Sequence, residues 1–132
     1  MDKVTDLSKL ISGMSPKLHQ GEFVFVSVKS VDKVDRNDTV CEFMEEEGTT
    51  LVLEKSKADE LGLSYDFVAA WITLKIHSSL AAVGLTAAFS TALTKSNISC
   101  NVIAGYYHDH IFVNHKDAQK AMDVLKALSG NL

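Results

Sequence analysis

The strongest constraint on this chain is a helical stripe set between two strand patterns. Leu85, Ala88, Phe89, Ala92 and Leu93 recur at the spacing of one face of a helix, and Thr86, Ser90 and Thr94 form the opposite polar face. Before it, Phe67–His77 alternates, with Ile72, Leu74 and Ile76 on one side and Trp71, Thr73 and Lys75 on the other. After it, Ser99–Ala104 and His110–Val113 read as a hairpin around Gly105–Asp109. A second apolar stripe, Ala118, Ala121, Met122, Leu125 and Leu128, closes the chain before Gly130. From Ala69 onward the order is therefore β-α-β-β-α. A helix packed on a sheet needs one apolar face on each element, so this order predicts an α+β layer.

The first half reads α-β-β-β-α. Leu7, Leu10, Ile11 and Met14 share a helix face, with Thr5 placed to cap it and Ser15-Pro16 to end it. Phe23–Val28 is apolar on both alternate sets, as expected of a strand covered on both sides. Thr39–Met44 and Thr50–Leu53 form a hairpin around Glu45–Gly48, and Ser56-x-x-Asp59 resembles a capping box opening a short helix that Gly62 closes. The two halves look like two versions of one unit, with a tandem arrangement and a shared sheet. The expected division is 1–66 and 67–132.

Composition narrows the function classes. The chain has 132 residues, 13 Lys+Arg against 17 Asp+Glu and a net charge of −4, in the range of globular proteins. Arg36 is the only arginine, and no basic cluster offers a phosphate footprint, so no nucleic-acid partner is expected. No apolar run approaches the roughly 20 residues of a membrane span, and the N-terminal stretch lacks a signal-peptide core. A cytoplasmic protein without a membrane partner is expected. Cys41 and Cys100 stand far apart with no CxxC pair, and read as core packing.

No nucleophile elbow, phosphate loop or zinc-protease motif appears, so no enzyme, no cofactor and no metal are expected. Glu45-Glu46-Glu47 points in different directions within a turn and reads as solvated. His108 and His110, at i and i+2, could share a face as metal ligands, but a role in shaping the turn with Asp109 reads better. The segment His77–Gly84 joins a strand to a helix N-terminus, where free N–H groups and the helix dipole favour a carboxylate. Ser78, Ser79 and Asn101 could add hydrogen bonds there. Equally, either serine could be a plain helix cap, Gly84 could serve close packing, and Asn101 could be a strand-end hydrogen bonder.

The run from Gly84, GLTAAFSTALTKSNISCNVIAG followed by YYHDHIFV, resembles the ACT domain. Glu22–Phe25, Glu47–Leu53, His77–Ser90 and Ile98–Val113 together resemble a bacterial family of tandem ACT-like proteins without an assigned role. The C-terminal half is also similar to the ACT repeats of the eukaryotic cytosolic arginine sensor. The resemblance implies two ferredoxin-like units with antiparallel sheets and helices on one face, the first expected to be incomplete for want of a strand before its helix. It implies a homodimer that binds a small ligand, an amino acid, where units meet, and passes the signal to a regulated protein partner. Carried onto this sequence, the ligand site would involve His77, Ser78, Ser79, Val83, Gly84, Leu85, Cys100 and Asn101. The alternative is an interaction protein that uses ACT-like units for oligomerisation alone.

Overall fold

The computed structural model describes residues 6–76 and 80–130. Contacts divide the chain into two compact units, and the division is discontinuous. Residues up to His19 pack with Ala70 onward, while Gln20–Ala69 forms the other unit. A boundary at 66/67 in sequence thus differs from the boundary in packing, because the first helix and strand join the C-terminal unit.

In that C-terminal unit the elements are α1 (Leu7–Ser12), β1 (Ser15–Leu18), β5 (Val68–Lys75, from Ala70), α3 (Leu85–Lys95), β6 (Asn101–Ala104), β7 (Asp109–Asn114) and α4 (Ala118–Ser129). The strand order is β1-β5-β7-β6. β1 runs antiparallel to β5, with Ser15 opposite Lys75 and Leu18 opposite Ile72. β6 and β7 form the hairpin, from Asn101 opposite Phe112 to Ala104 opposite Asp109. The β-α-β-β-α reading is observed element for element. β1 fills the outer position beside the unit's first strand, so the fourth strand of a ferredoxin-like sheet comes from upstream in the chain.

Ser15–Leu18 was expected only as the end of a helix. It forms a strand because Gly13 stops α1, its N–H bonding back to the Lys9 carbonyl at 2.9 Å. Pro16, which has no N–H to give, is tolerated in so short a strand. Thr5, the cap expected from the sequence, lies outside the described residues; Asp6 caps α1, accepting from the Lys9 N–H at 3.2 Å.

The alternation in β5 sorts its side chains. Ala70, Ile72, Leu74 and Ile76 turn to the helices and join a core with Leu10, Met14, Phe89, Leu93, Ile111 and Leu125. Trp71 and Thr73 turn the other way, towards His19, His110 and Phe112. Gly84 adopts a φ of +98° at the N-cap of α3, and a Cβ there would lie 3.1 Å from Leu7 Cδ2. A side chain would be strained at this φ, and the Leu7 side chain would have to give by a few tenths of an ångström.

The unit Gln20–Ala69 holds β2 (Phe23–Val28), β3 (Thr39–Met44), β4 (Thr49–Glu54), α2 (Lys55–Glu60) and the first two residues of β5. Its order is β3-β4-β2-β5, with Phe23 opposite Ala69 and Val24 opposite Val68. Where a ferredoxin-like unit has its first helix, this one has the segment between β2 and β3, whose Val31 and Val34 pack with Val24, Val26, Leu51, Leu53 and Ala58. The expected incompleteness is thus of a helix: the strand order is filled. The capping box at Ser56 is not formed. Glu54 is the N-cap of α2 and makes no side-chain cap bond, so Ser56 lies inside the helix. The Lys55 N–H is satisfied instead by the Glu22 carbonyl at 2.8 Å. Asp59 accepts from Lys55 Nζ at 2.9 Å and from the Tyr65 hydroxyl at 2.6 Å.

Phe89 is fully buried at the centre of the helical stripe. Phe89→Ala should cost about 3–5 kcal/mol in urea denaturation. A loss under about 1 kcal/mol would mean that α3 is not seated as described.

Candidate functional site

Two features of the C-terminal unit could carry function. The first is a cavity of about 100 Å³. It lies between the segment leading into α3 and the β6–β7 turn. Leu80, Ala82, Leu85 and Thr86 line one side, and Ala104–Asp109 the other. The size is of the order that accepts a small organic molecule.

Each wall follows from local structure. The turn closes through a bond from the Gly105 N–H to the His108 carbonyl at 2.9 Å. A Cβ on Gly105 would stand 2.9 Å from that carbonyl oxygen and 3.2 Å from His110 Nε2. Only glycine fits, and its absence of a side chain keeps the cavity open. On the other wall, α3 starts at Gly84 without a side-chain cap. The first N–H groups of a helix have no intrahelical acceptor and carry its positive dipole end. Asp109 brings a carboxyl, whose pKa burial raises, with His110 partly offsetting the effect. Tyr106 and Tyr107, in edge contact with ring centroids 5.0 Å apart, form an exposed rim.

The second feature lies on the β5 face turned away from the helices. His19 stacks on Trp71, with ring centroids 3.6 Å apart and planes 12° apart. His19 Nε2 lies 2.7 Å from Thr73 Oγ1, which lies 3.0 Å from His110 Nδ1. Trp71 Nε1 donates to the same Nδ1 at 3.1 Å. Both imidazoles are pushed below the ordinary histidine range. Burial is the main cause for each; Lys17, His110 and Lys75 add to it at His19, and His108 at His110, where Asp109 opposes.

The residues expected from sequence are distributed as follows. His77, Ser78 and Ser79 lie outside the described residues. Leu85 lines the cavity, Gly84 caps the adjoining helix, and Val83 is 85% exposed. Cys100 packs against the helical core, where burial pushes its thiol up to about 11. Asn101 stands at the far end of β6 from the turn and donates from Nδ2 to the Phe112 carbonyl at 3.2 Å. Asn101 is not among the residues that line this cavity. Thr86, Gly105, His108 and Asp109 are. His108 Nδ1 accepts the Ile76 N–H at 3.4 Å. Among the described residues no three His, Cys, Asp or Glu side chains gather as a metal site. No helix among them is long and apolar enough to cross a membrane.

Two ferredoxin-like α+β units, one with a small cavity at the strand–helix junction, define the class of tandem ferredoxin-like α+β modules. Two ACT-domain profiles match the chain, over residues 3–70 and 67–127, and the chain belongs to the ACT-domain family. A Vibrio cholerae protein of unknown function, described as a possible transport protein, is 45% identical. Its structure superposes with a TM-score of 0.85, covering 95% of this chain and 97% of its own. Aspartate kinase from Clostridium acetobutylicum, an allosteric enzyme, is 14% identical at a TM-score of 0.62, over 91% of this chain and 35% of the kinase. The regulatory subunit of aspartate kinase from Thermus thermophilus is 7% identical at a TM-score of 0.59, over 88% of this chain and 98% of its own. Identities this low establish the shared fold alone. No curated protein sequence matches the chain.

Two outcomes follow from the geometry. Gly105→Ala should lower stability by about 1–3 kcal/mol through overpacking against the His108 carbonyl and His110; an unchanged melting temperature would contradict the tight turn. The histidines give a pH effect of fixed sign. Their folded pKa values lie below the ordinary 6.5, so the unfolded chain takes up protons first as the pH falls. Stability should therefore be fully present above that value and decline below it. Urea midpoints at about pH 7.5 and pH 5.5 check this: the drop between them should be smaller in His19→Gln and His110→Asn than in wild type, and an equal drop would contradict it.

Proposed function

We propose that this protein is a non-catalytic regulatory module that binds a small amino acid. A homodimer holds the ligand where ACT units meet and signals by changing its contacts with a protein partner. The observation that carries this reading is the cavity between α3 and the β6–β7 turn. Its lining combines Leu85 and Thr86 at a helix start, where N–H donors lack intrahelical acceptors, with Asp109. An α-carboxylate suits the donors, and an α-ammonium suits Asp109 once it is ionised. Apolar Leu85 and Ala82 leave space for a small side chain. His77–Ser79 and Val83 belong to the segment that leads to this helix, and Cys100 and Asn101 would serve from the strand start if a second unit presents them.

A second reading, an interaction protein with no ligand, is favoured by the apolar rim. Leu80, Val83, Tyr106 and Tyr107 are between 67% and 85% exposed, more apolar surface than a lone module needs to show water.

A thermal-shift panel of the twenty amino acids separates the two. A ligand at about 100 times its Kd stabilises the folded state by about 2.7 kcal/mol. At least one small amino acid should raise the melting temperature, and Asp109→Asn should remove the rise. No rise with any amino acid at millimolar concentration would favour the second reading.

A further inference from the structure

We propose that His19, Thr73, His110 and Trp71 form a proton-operated latch that fixes the start of β7 against β5. The geometry assigns the protons. Indole Nε1–H can only donate, so its bond to His110 Nδ1 requires that nitrogen to be a bare acceptor. His110 is then the neutral tautomer with its proton on Nε2. Thr73 Oγ1 lies within reach of the same nitrogen and of His19 Nε2. The consistent arrangement has His19 Nε2–H donating to the Thr73 oxygen, and the Thr73 hydroxyl sharing His110 Nδ1 with Trp71.

One proton arriving at His110 Nδ1 reverses this chain. The acceptor becomes a donor and meets the indole N–H head-on, so Trp71 must leave. Thr73 can only accept from the new N–H, and its own proton can turn to His19 only as that ring passes from the Nε2–H to the Nδ1–H tautomer. The charged groups around the two rings are Lys17 on β1 and Lys75 on β5 near His19, and His108 in the turn and Asp109 on β7 near His110, with His19 across the threonine. His108 opposes the His110 imidazolium and Asp109 favours it, while the two lysines oppose a charge on His19. Release would loosen the strand directly after the turn, because Gly105 lies close under His110 Nε2 and Asp109 precedes it in β7. The latch thus governs one wall of the cavity, whatever that cavity binds.

Trp71 is the only tryptophan, so its emission reports on this face alone, where both His19 and His110 contact the indole, and the His19→Gln variant isolates the His110 contribution. Titration of the full chain from about pH 8 to pH 5 should show a reversible one-proton change with a midpoint below the ordinary histidine value. Far-UV circular dichroism should stay constant across it. His110→Asn offers an oxygen acceptor near the Nδ1 position that does not titrate, and should flatten the profile. His19→Gln should keep it. The latch is overturned if wild type shows no transition, if the transition tracks loss of secondary structure, if it survives in His110→Asn, or if His19→Gln abolishes it. Should His110→Asn not fold, the histidine Cε1–H resonances of wild type decide. A His110 midpoint that coincides with the Trp71 change supports the latch, and one that does not coincide overturns it.

Discussion

Strand β5 is the element on which the rest depends. Its alternation is strict, and both sets of side chains are engaged. Ala70, Ile72, Leu74 and Ile76 take the packing of three helices and are buried in the apolar core of that unit. On the reverse face Trp71 and Thr73 hold two histidines in a hydrogen-bonded chain. A shift of one residue in register would exchange the two sets, placing Trp71 and Thr73 among the helices and the aliphatic residues against His19 and His110. The fold and the polar chain therefore specify the same register.

The same strand explains why the chain is assembled discontinuously. Its first two residues complete the strand order of Gln20–Ala69, and the remainder opens the order of the C-terminal unit. That unit ends on a helix, leaving its outer strand position to be filled from elsewhere. β1 fills it, and α1, packed on Gly84 through Leu7, covers the start of α3. Residues from the N-terminal end thereby support the junction that walls the cavity.

Much of this was legible in the sequence, for identifiable reasons. α3, α4, β5 and the β6–β7 hairpin each carry an apolar period long enough to be read without partners. β1 does not: four residues with a proline and mostly exposed side chains carry no period, and only pairing with β5 makes them a strand. Ser56-x-x-Asp59 misled because β4 runs straight into α2, so the helix begins before the serine. The junction before α3 was legible as a place for a ligand, and Leu85 and Gly84 stand at it. The opposing wall was read only as a turn, since nothing local places Gly105–Asp109 beside Thr86. The polar chain was illegible for the same reason: its bonds join residues 37 to 54 positions apart.

The central claim is that the cavity between α3 and the β6–β7 turn is where this ACT module receives a small amino acid. The most direct test is an amide NMR titration of the isotope-labelled protein with each small amino acid. The account predicts saturable shifts concentrated at Ala82, Leu85, Thr86 and Gly105–Asp109, with the β3–β4 hairpin unmoved. Saturable shifts centred on a different surface, or none up to millimolar ligand, would contradict it.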